Sequence, residues 1–291
     1  MISINTNYGG IFAAKASSQS QLQIDQAMER LSTGKRINHA RDDAAGQAIA
    51  TRLSAEIEGL AMASRNVADG QSLVDTAEGA LVETHALLLR MREIGVQAAN
   101  GTLSSSDNEA LDAEFQQLVA EIDRISDNTS WAGTKLLNGD ATGATNTSAT
   151  FTFQAGVNNA SADRITIEVK NADSATLGVY ADADHDGDTD NDVNLLSMTS
   201  AQAAITVVDN AIAGVSAERG KLGAVSNRMS STMANLDQIT VNLTASKGRI
   251  EDSDFAAETG NLAKGQILQQ AATAMLAQAN ASKQQVLTLI R

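Results

Sequence analysis

Proline is absent from all 291 residues. Average usage is about 5%, so roughly a dozen would be expected. Proline breaks a helix interior at a cost of about 3 kcal/mol or more, and its absence fits a chain of very long helices. It also removes slow cis/trans isomerisation, which suits a chain that has to refold quickly. Cysteine is absent too. That excludes a disulfide framework, thiolate chemistry and Cys-based metal sites, without fixing a compartment. Basic residues are scarce: 21 Lys and Arg against 35 Asp and Glu give a net charge of −14. Such a chain lacks the basic face that non-specific nucleic-acid binding needs. No run of about 18 apolar residues occurs, so no transmembrane helix and no membrane partner are expected. The first residues lack the basic start, apolar core and small-residue cleavage site of a secretory signal, so none is expected either.

What the chain does carry is concentrated at its ends. From Phe255 to Arg291, the residues Leu268, Ala272, Met275, Ala279, Val286 and Ile290 step by threes, fours and one seven. That is the spacing of one stripe along an α-helix. Leu262, Leu276 and Leu287 join them as packing candidates. The opposite face is Gln, Asn, Ser and Thr, and after Glu258 the only charges are Lys264, Lys283 and Arg291. A helix with so few ions suits burial against other chains, because buried charges must be desolvated. Docking on its own domain is the alternative. The beginning mirrors the end. Lys15 is the only charge before Asp25, and Ile11, Leu22, Ile24, Met28 and Leu31 form a second, less regular stripe. Two such ends on an acidic chain predict pairing of the termini and assembly into multimers.

Between them, Gly34 is placed to end the first helix, and Lys35 to Arg41 reads as a connector. Asp42 or Asp43 can cap the next helix. Leu53, Leu60, Val67, Val74, Leu81 and Leu88 then recur every seven residues, a coiled-coil-like signal. From Ala44 to about Ala99 this helix would span roughly 80 Å. Ser106 to Glu109 fits a capping box, and Leu111, Phe115, Leu118, Ile122 and Ile125 follow at helical spacing. This second helix is expected to fold back antiparallel, with Trp131 plugging the end of the bundle. Phe151 and Phe153, then Ile165, Ile167 and Val169, alternate with period two and predict a β-hairpin joined by Gly156 to Asp163. Ala181 to Asn194 is acidic. A capping box at Thr199 to Gln202 opens a helix of about 45 to 50 residues that runs from Ile205 to Ile250. Ser253 or Asp254 can cap the last helix.

The predicted fold is therefore mainly α. Long antiparallel helices form a coiled-coil-like bundle with paired N- and C-terminal helices, plus a small β-hairpin region. The domains are discontinuous: 1–41 with 250–291 as terminal helices, and 42–180 with 196–249 as a helical bundle carrying the hairpin. Residues 181–195 form a short acidic surface loop.

No catalytic constellation is visible, and an enzyme is not expected. His39, His85 and His185 are scattered, and neither H-E-x-x-H nor a Gly-rich phosphate loop occurs. Asp182, Asp184, Asp186, Gly187, Asp188 and Asp190 match the start of a calcium loop of EF-hand type. Position twelve of that pattern is Val193 where a bidentate Glu belongs, so a solvated acidic tip is the competing reading. No cofactor is required by anything in the sequence.

Several blocks resemble one family. Residues 31–53, LSTGKRINHARDDAAGQAIATRL, and Ile4-Asn5-Thr6-Asn7 are similar to the N-terminal signature of bacterial flagellin. Leu88 to Asn100, LLRMREIGVQAAN, resembles that family's mid-helix segment, and Arg249 to Arg291 resembles its C-terminus. The resemblance implies an extracellular filament subunit, exported unfolded without a cleavable signal and polymerised with copies of itself. It implies as partners a filament cap, hook–filament junction proteins, an export chaperone and the vertebrate innate receptor for flagellin. Arg90, Glu93, Ile94 and Glu114 fall where the family contacts that receptor. Only the acidic loop is left for an outer domain, so the chain looks like a short form. A hook–filament junction protein is the competing reading within the same class. A calcium-dependent extracellular binding module is the alternative from another class.

Overall fold

The computed structural model describes residues 6–138, 148–179 and 193–289, with backbone alone for 283–289. Six helices dominate: α1 Tyr8–Thr33, α2 Ala44–Ala98, α3 Ser105–Asn128, the single turn α4 Ser174–Leu177, α5 Met198–Glu251 and α6 Phe255–Leu289. Two short strands, β1 Ser130–Trp131 and β2 Thr134–Lys135, pair antiparallel, as do β3 Ser148–Gln154 and β4 Arg164–Lys170. The mainly α class, the long helices and the hairpin are as the sequence predicts.

The helix ends show why the elements start and stop where they do. Gly34 closes α1 in the left-handed conformation (φ 71°), its N–H donating to the Arg30 carbonyl. Asp43 accepts the Gly46 N–H at the start of α2, and Asp254 accepts from Ala256 and Ala257 at the start of α6. The box that opens α3 lies two residues earlier than its sequence suggests. Ser104 accepts from the Asp107 N–H while Asp107 accepts from the Ser104 N–H. Asp107, a residue with a shorter reach than Glu, closes that ring, so Ser106 and Glu109 are left inside the helix. At α5 the cap is Ser197, which exchanges hydrogen bonds with Ser200, so the helix begins before Thr199 and reaches 54 residues.

The chain divides into two compact units, one of residues 1–58 with 240–291 and one of residues 59–239. In the second unit α2 and α5 run antiparallel. Gln71 donates to Ser226, and Arg92 pairs with Asp209 at 2.6 Å. Leu73, Leu81, Leu88 and Met91 of α2, Phe115 and Ile122 of α3, Ile167 of β4 and Leu222 of α5 are fully buried. Gly70 allows close approach here: a Cβ on it would meet Met229 Cε at 2.6 Å. On β4, Ile165, Ile167 and Val169 face inward and the residues between them outward, the period of two expected of a half-buried hairpin. Trp131 is half-buried on β1, while Leu136 and Leu137 take the sealed positions.

Candidate assembly surface

The terminal unit is held together by one antiparallel helix pair. Asn7 donates to Asn280 at 3.1 Å, Gln269 to Gln21 at 2.7 Å, and Arg30 to Glu258 at 2.9 Å. These three contacts keep one register along the pair. The seam between them is built from small residues. Gly10, Ala13, Ser20 and Ala27 of α1, with Ile24, are buried, and so are Gly265 and Ala272 of α6. A Cβ added at Gly265 would lie 2.8 Å from Ile24 Cγ1. Small residues at heptad spacing let two backbones approach, and they leave the large apolar side chains outside the seam.

That displacement separates the packing candidates. Ile24 is buried in the seam, and Leu31, Leu262 and Leu276 are half-buried. Ile11, Leu22 and Met28 on α1 and Leu268 and Met275 on α6 are exposed, Leu22 by 67% and Met275 by 62%. Val286 and Leu287 lie in α6 beyond the described side chains, and Ile290 lies outside the described residues. The sequence stripes missed four exposed apolar residues of these helices, Tyr8, Phe12, Phe255 and Ile267. Phe12, Ala16 and Gln23 with Leu268 and Met275 line an open groove of about 450 Å³ along the pair. Apolar side chains gathered along one open groove mark a surface that a partner can cover.

Below the pair, the connector is tied to the end of α5. Arg36 N–H donates to the Glu251 carbonyl, Ser253 N–H donates to the Gly34 carbonyl, and Lys35 pairs with Glu251. His39 Nε2 lies 2.8 Å from Glu29. The backbone N–H groups of His39 and Asn38 hold the Asp42 carboxyl below the usual carboxylate range.

In the second unit, Arg90 pairs with Glu114 at 2.8 Å and with Glu93 at 3.1 Å. The Glu114 and Glu93 carboxylates hold the Arg90 guanidinium above its ordinary value. These three charges form one exposed cluster. Ile94 does not join it on the surface. It is only 1% exposed and packs inward. Asp182, Asp184, Asp186, Asp188 and Asp190 lie outside the described residues. Val193, the twelfth position of that pattern, is buried, and its carbonyl accepts from Gln116 at 3.2 Å. Among the described residues no three His, Asp or Glu side chains converge as a metal site.

Known proteins match along nearly the whole chain. The profile of the bacterial flagellin N-terminal helical region matches residues 4–142, and that of the C-terminal helical region matches residues 205–290. A flagellin of Halalkalibacterium halodurans is 44% identical over 92% of each chain. A flagellin of Bacillus subtilis is 42% identical over 99% of each. The flagellar filament 33 kDa core protein of Treponema phagedenis is 38% identical over 99% of each. A solved structure from Vibrio parahaemolyticus, described as flagellar hook-associated, shares the fold at 15% identity. Its TM-score is 0.57, covering 72% of this chain and 100% of that one. The chain belongs to the bacterial flagellin family.

Proposed function

We infer that the chain is a structural subunit of the bacterial flagellar filament, self-assembling outside the cell into a helical homopolymer that serves swimming. The observation that carries this reading is the inverted terminal pair. Its seam is filled by Gly, Ala and Ser, while Phe12, Leu22, Leu268 and Met275 face outward. Many copies with the same face can bury it only against one another. Burying apolar area contributes about 25 cal/mol per Å². The residues 1–41 with 250–291 then form the filament's inner domain, and Ile11, Leu22, Met28, Leu268 and Met275, with Val286, Leu287 and Ile290, supply its contacts between subunits. The test is polymerisation of the purified chain alone. Sedimentable filaments support the reading, and a protein that stays monomeric at high concentration opposes it. It also sets this chain apart from a hook–filament junction protein, which would not grow long filaments.

The finer partners belong to the same proposal. The filament cap, junction proteins and export chaperone act on the terminal helices. The innate receptor engages the exposed Arg90–Glu93–Glu114 cluster, with Ile94 supporting it from beneath. The Asp182 to Asp190 spacing supports a calcium loop. Titration calorimetry checks it: one saturable site lost in the Asp184→Ala, Asp186→Ala double variant supports it, and no heat at millimolar calcium opposes it.

A further inference from the structure

The turn between α2 and α3 joins Asn100 to Gly101, and both are exposed. The Asn100 Oδ1 accepts the Thr102 N–H at 3.3 Å. That bond closes a ring of atoms containing both the Asn100 Cγ and the Gly101 nitrogen. It holds the carboxamide carbon beside the following peptide, and the donated N–H draws electron density from that carbon. The rest of the turn is pinned by Asn100 N–H to the Gln97 carbonyl and Leu103 N–H to the Asn100 carbonyl. The Gly101 N–H enters no hydrogen bond among the described residues. Gly101 has no side chain to obstruct attack, and its backbone is the most conformationally free of any residue.

We propose that Asn100–Gly101 is a self-modification site at which the chain deamidates through a succinimide. The Gly101 amide nitrogen attacks the Asn100 Cγ, the Cγ–Nδ2 bond breaks, and the amide proton leaves with the nitrogen as ammonia. Water then opens the five-membered ring. Opening at Cγ yields aspartate at residue 100. Opening at the Asn100 backbone carbonyl yields isoaspartate, which inserts one methylene into the main chain. No oxidant, metal or enzyme is needed. Either product places a negative charge just beyond the C-terminal end of α2, where the helix dipole opposes it. The isoaspartyl form also resets the Asx bond that holds the α2–α3 turn. Conversion therefore marks the age of a subunit at the end of its longest helical hairpin.

Other asparagines provide internal references. Asn108 lies in the same tryptic fragment, 93–124, but is buried inside α3 and followed by Glu109. Asn128 is tied down by Nδ2 donation to the Arg124 carbonyl at 2.8 Å. The test is incubation of the full chain at mildly alkaline pH, with peptide mass spectrometry and enzymatic methylation of isoaspartate as readouts. Asn100 is expected to exchange its amide nitrogen for oxygen well before Asn108 and Asn128, with isoaspartate the larger product. Gly101→Ala is sterically mild, since a Cβ there meets only Met198 Sδ at 3.8 Å. It should slow conversion roughly tenfold by restricting the backbone and shielding the nitrogen. Conversion at Asn100 no faster than at Asn108, or unchanged in Gly101→Ala, overturns the proposal.

Discussion

Arg30 Nη1 and Glu258 Oε1 meet at 2.9 Å across the terminal helix pair, with both side chains largely withdrawn from water. Among the described residues this is the only ion pair joining α1 to α6. A partly buried pair costs most when one partner is removed, because the other charge is left uncompensated. Glu258→Leu should weaken the pair by about 2 kcal/mol, which raises the critical concentration for polymerisation roughly thirtyfold. Sedimentation across a concentration series measures it. An unchanged critical concentration would show that the pair is not assembled in the polymer.

The seam itself is tested at Gly265. Leucine there must displace Ile24, whose Cγ1 a Cβ would meet at 2.8 Å. Overpacking of this kind costs about 1–3 kcal/mol. Gly265→Leu should therefore slow polymerisation, while Gly260→Ala should not, since no atom lies within 4 Å of a Cβ at that position. Light-scattering kinetics of the two variants decides it, and equal rates would contradict the seam as drawn.

Met275→Asp asks about the outer face. The residue is exposed in the single chain, so the variant should fold with unchanged helical content. In a filament the carboxylate would be buried without a partner, at a cost of several kcal/mol. Circular dichroism should match the parent while pelleting fails. Normal filaments from this variant would place Met275 away from any subunit contact.

The α3 cap makes a pH prediction. The Ser104 hydroxyl, then its backbone N–H, hold the Asp107 carboxyl below the usual carboxylate range. A depressed value means stability that is present above the unfolded-state value and lost as pH falls through the folded one. The α3 cap should thus loosen only in acid. Ser104→Ala should move the Asp107 titration upward toward its ordinary range. Carboxyl chemical shifts measured against pH check this, and identical titrations would rule out the box.

The helical bundle should stand on its own core. Phe115 is fully buried in α3. Phe115→Ala should cost about 3–5 kcal/mol, seen as a lowered thermal midpoint. A midpoint within a degree or two of the parent would mean that α3 is not packed as described.

The long helices were legible because leucine and valine repeat every seven residues, and the hairpin because Ile165, Ile167 and Val169 alternate. Both signals come from large residues in fixed periods. The α1–α6 seam was not legible by the same rule. Its period is carried by Gly, Ala and Ser, whose burial leaves little trace in a hydrophobicity pattern. The large side chains that did stand out, Leu268 and Met275, mark the open groove beside the seam. Resemblance names Ile94 beside Arg90, Glu93 and Glu114 as a receptor position, and α2 buries it while those three are exposed. The α3 start was offset because Asp107 closes the capping ring as well as Glu109 could have. Nothing in the residue types separates those two.

The most direct test is an electron-microscopic reconstruction of filaments grown from the purified chain. The expected result is a helical polymer in which α1 and α6 remain paired through Gly265 and Ala272. In that polymer Phe12, Leu22, Leu268 and Met275 should be covered by neighbouring subunits. Filaments that leave those side chains facing solvent, or a chain that forms no filament at all, would contradict it.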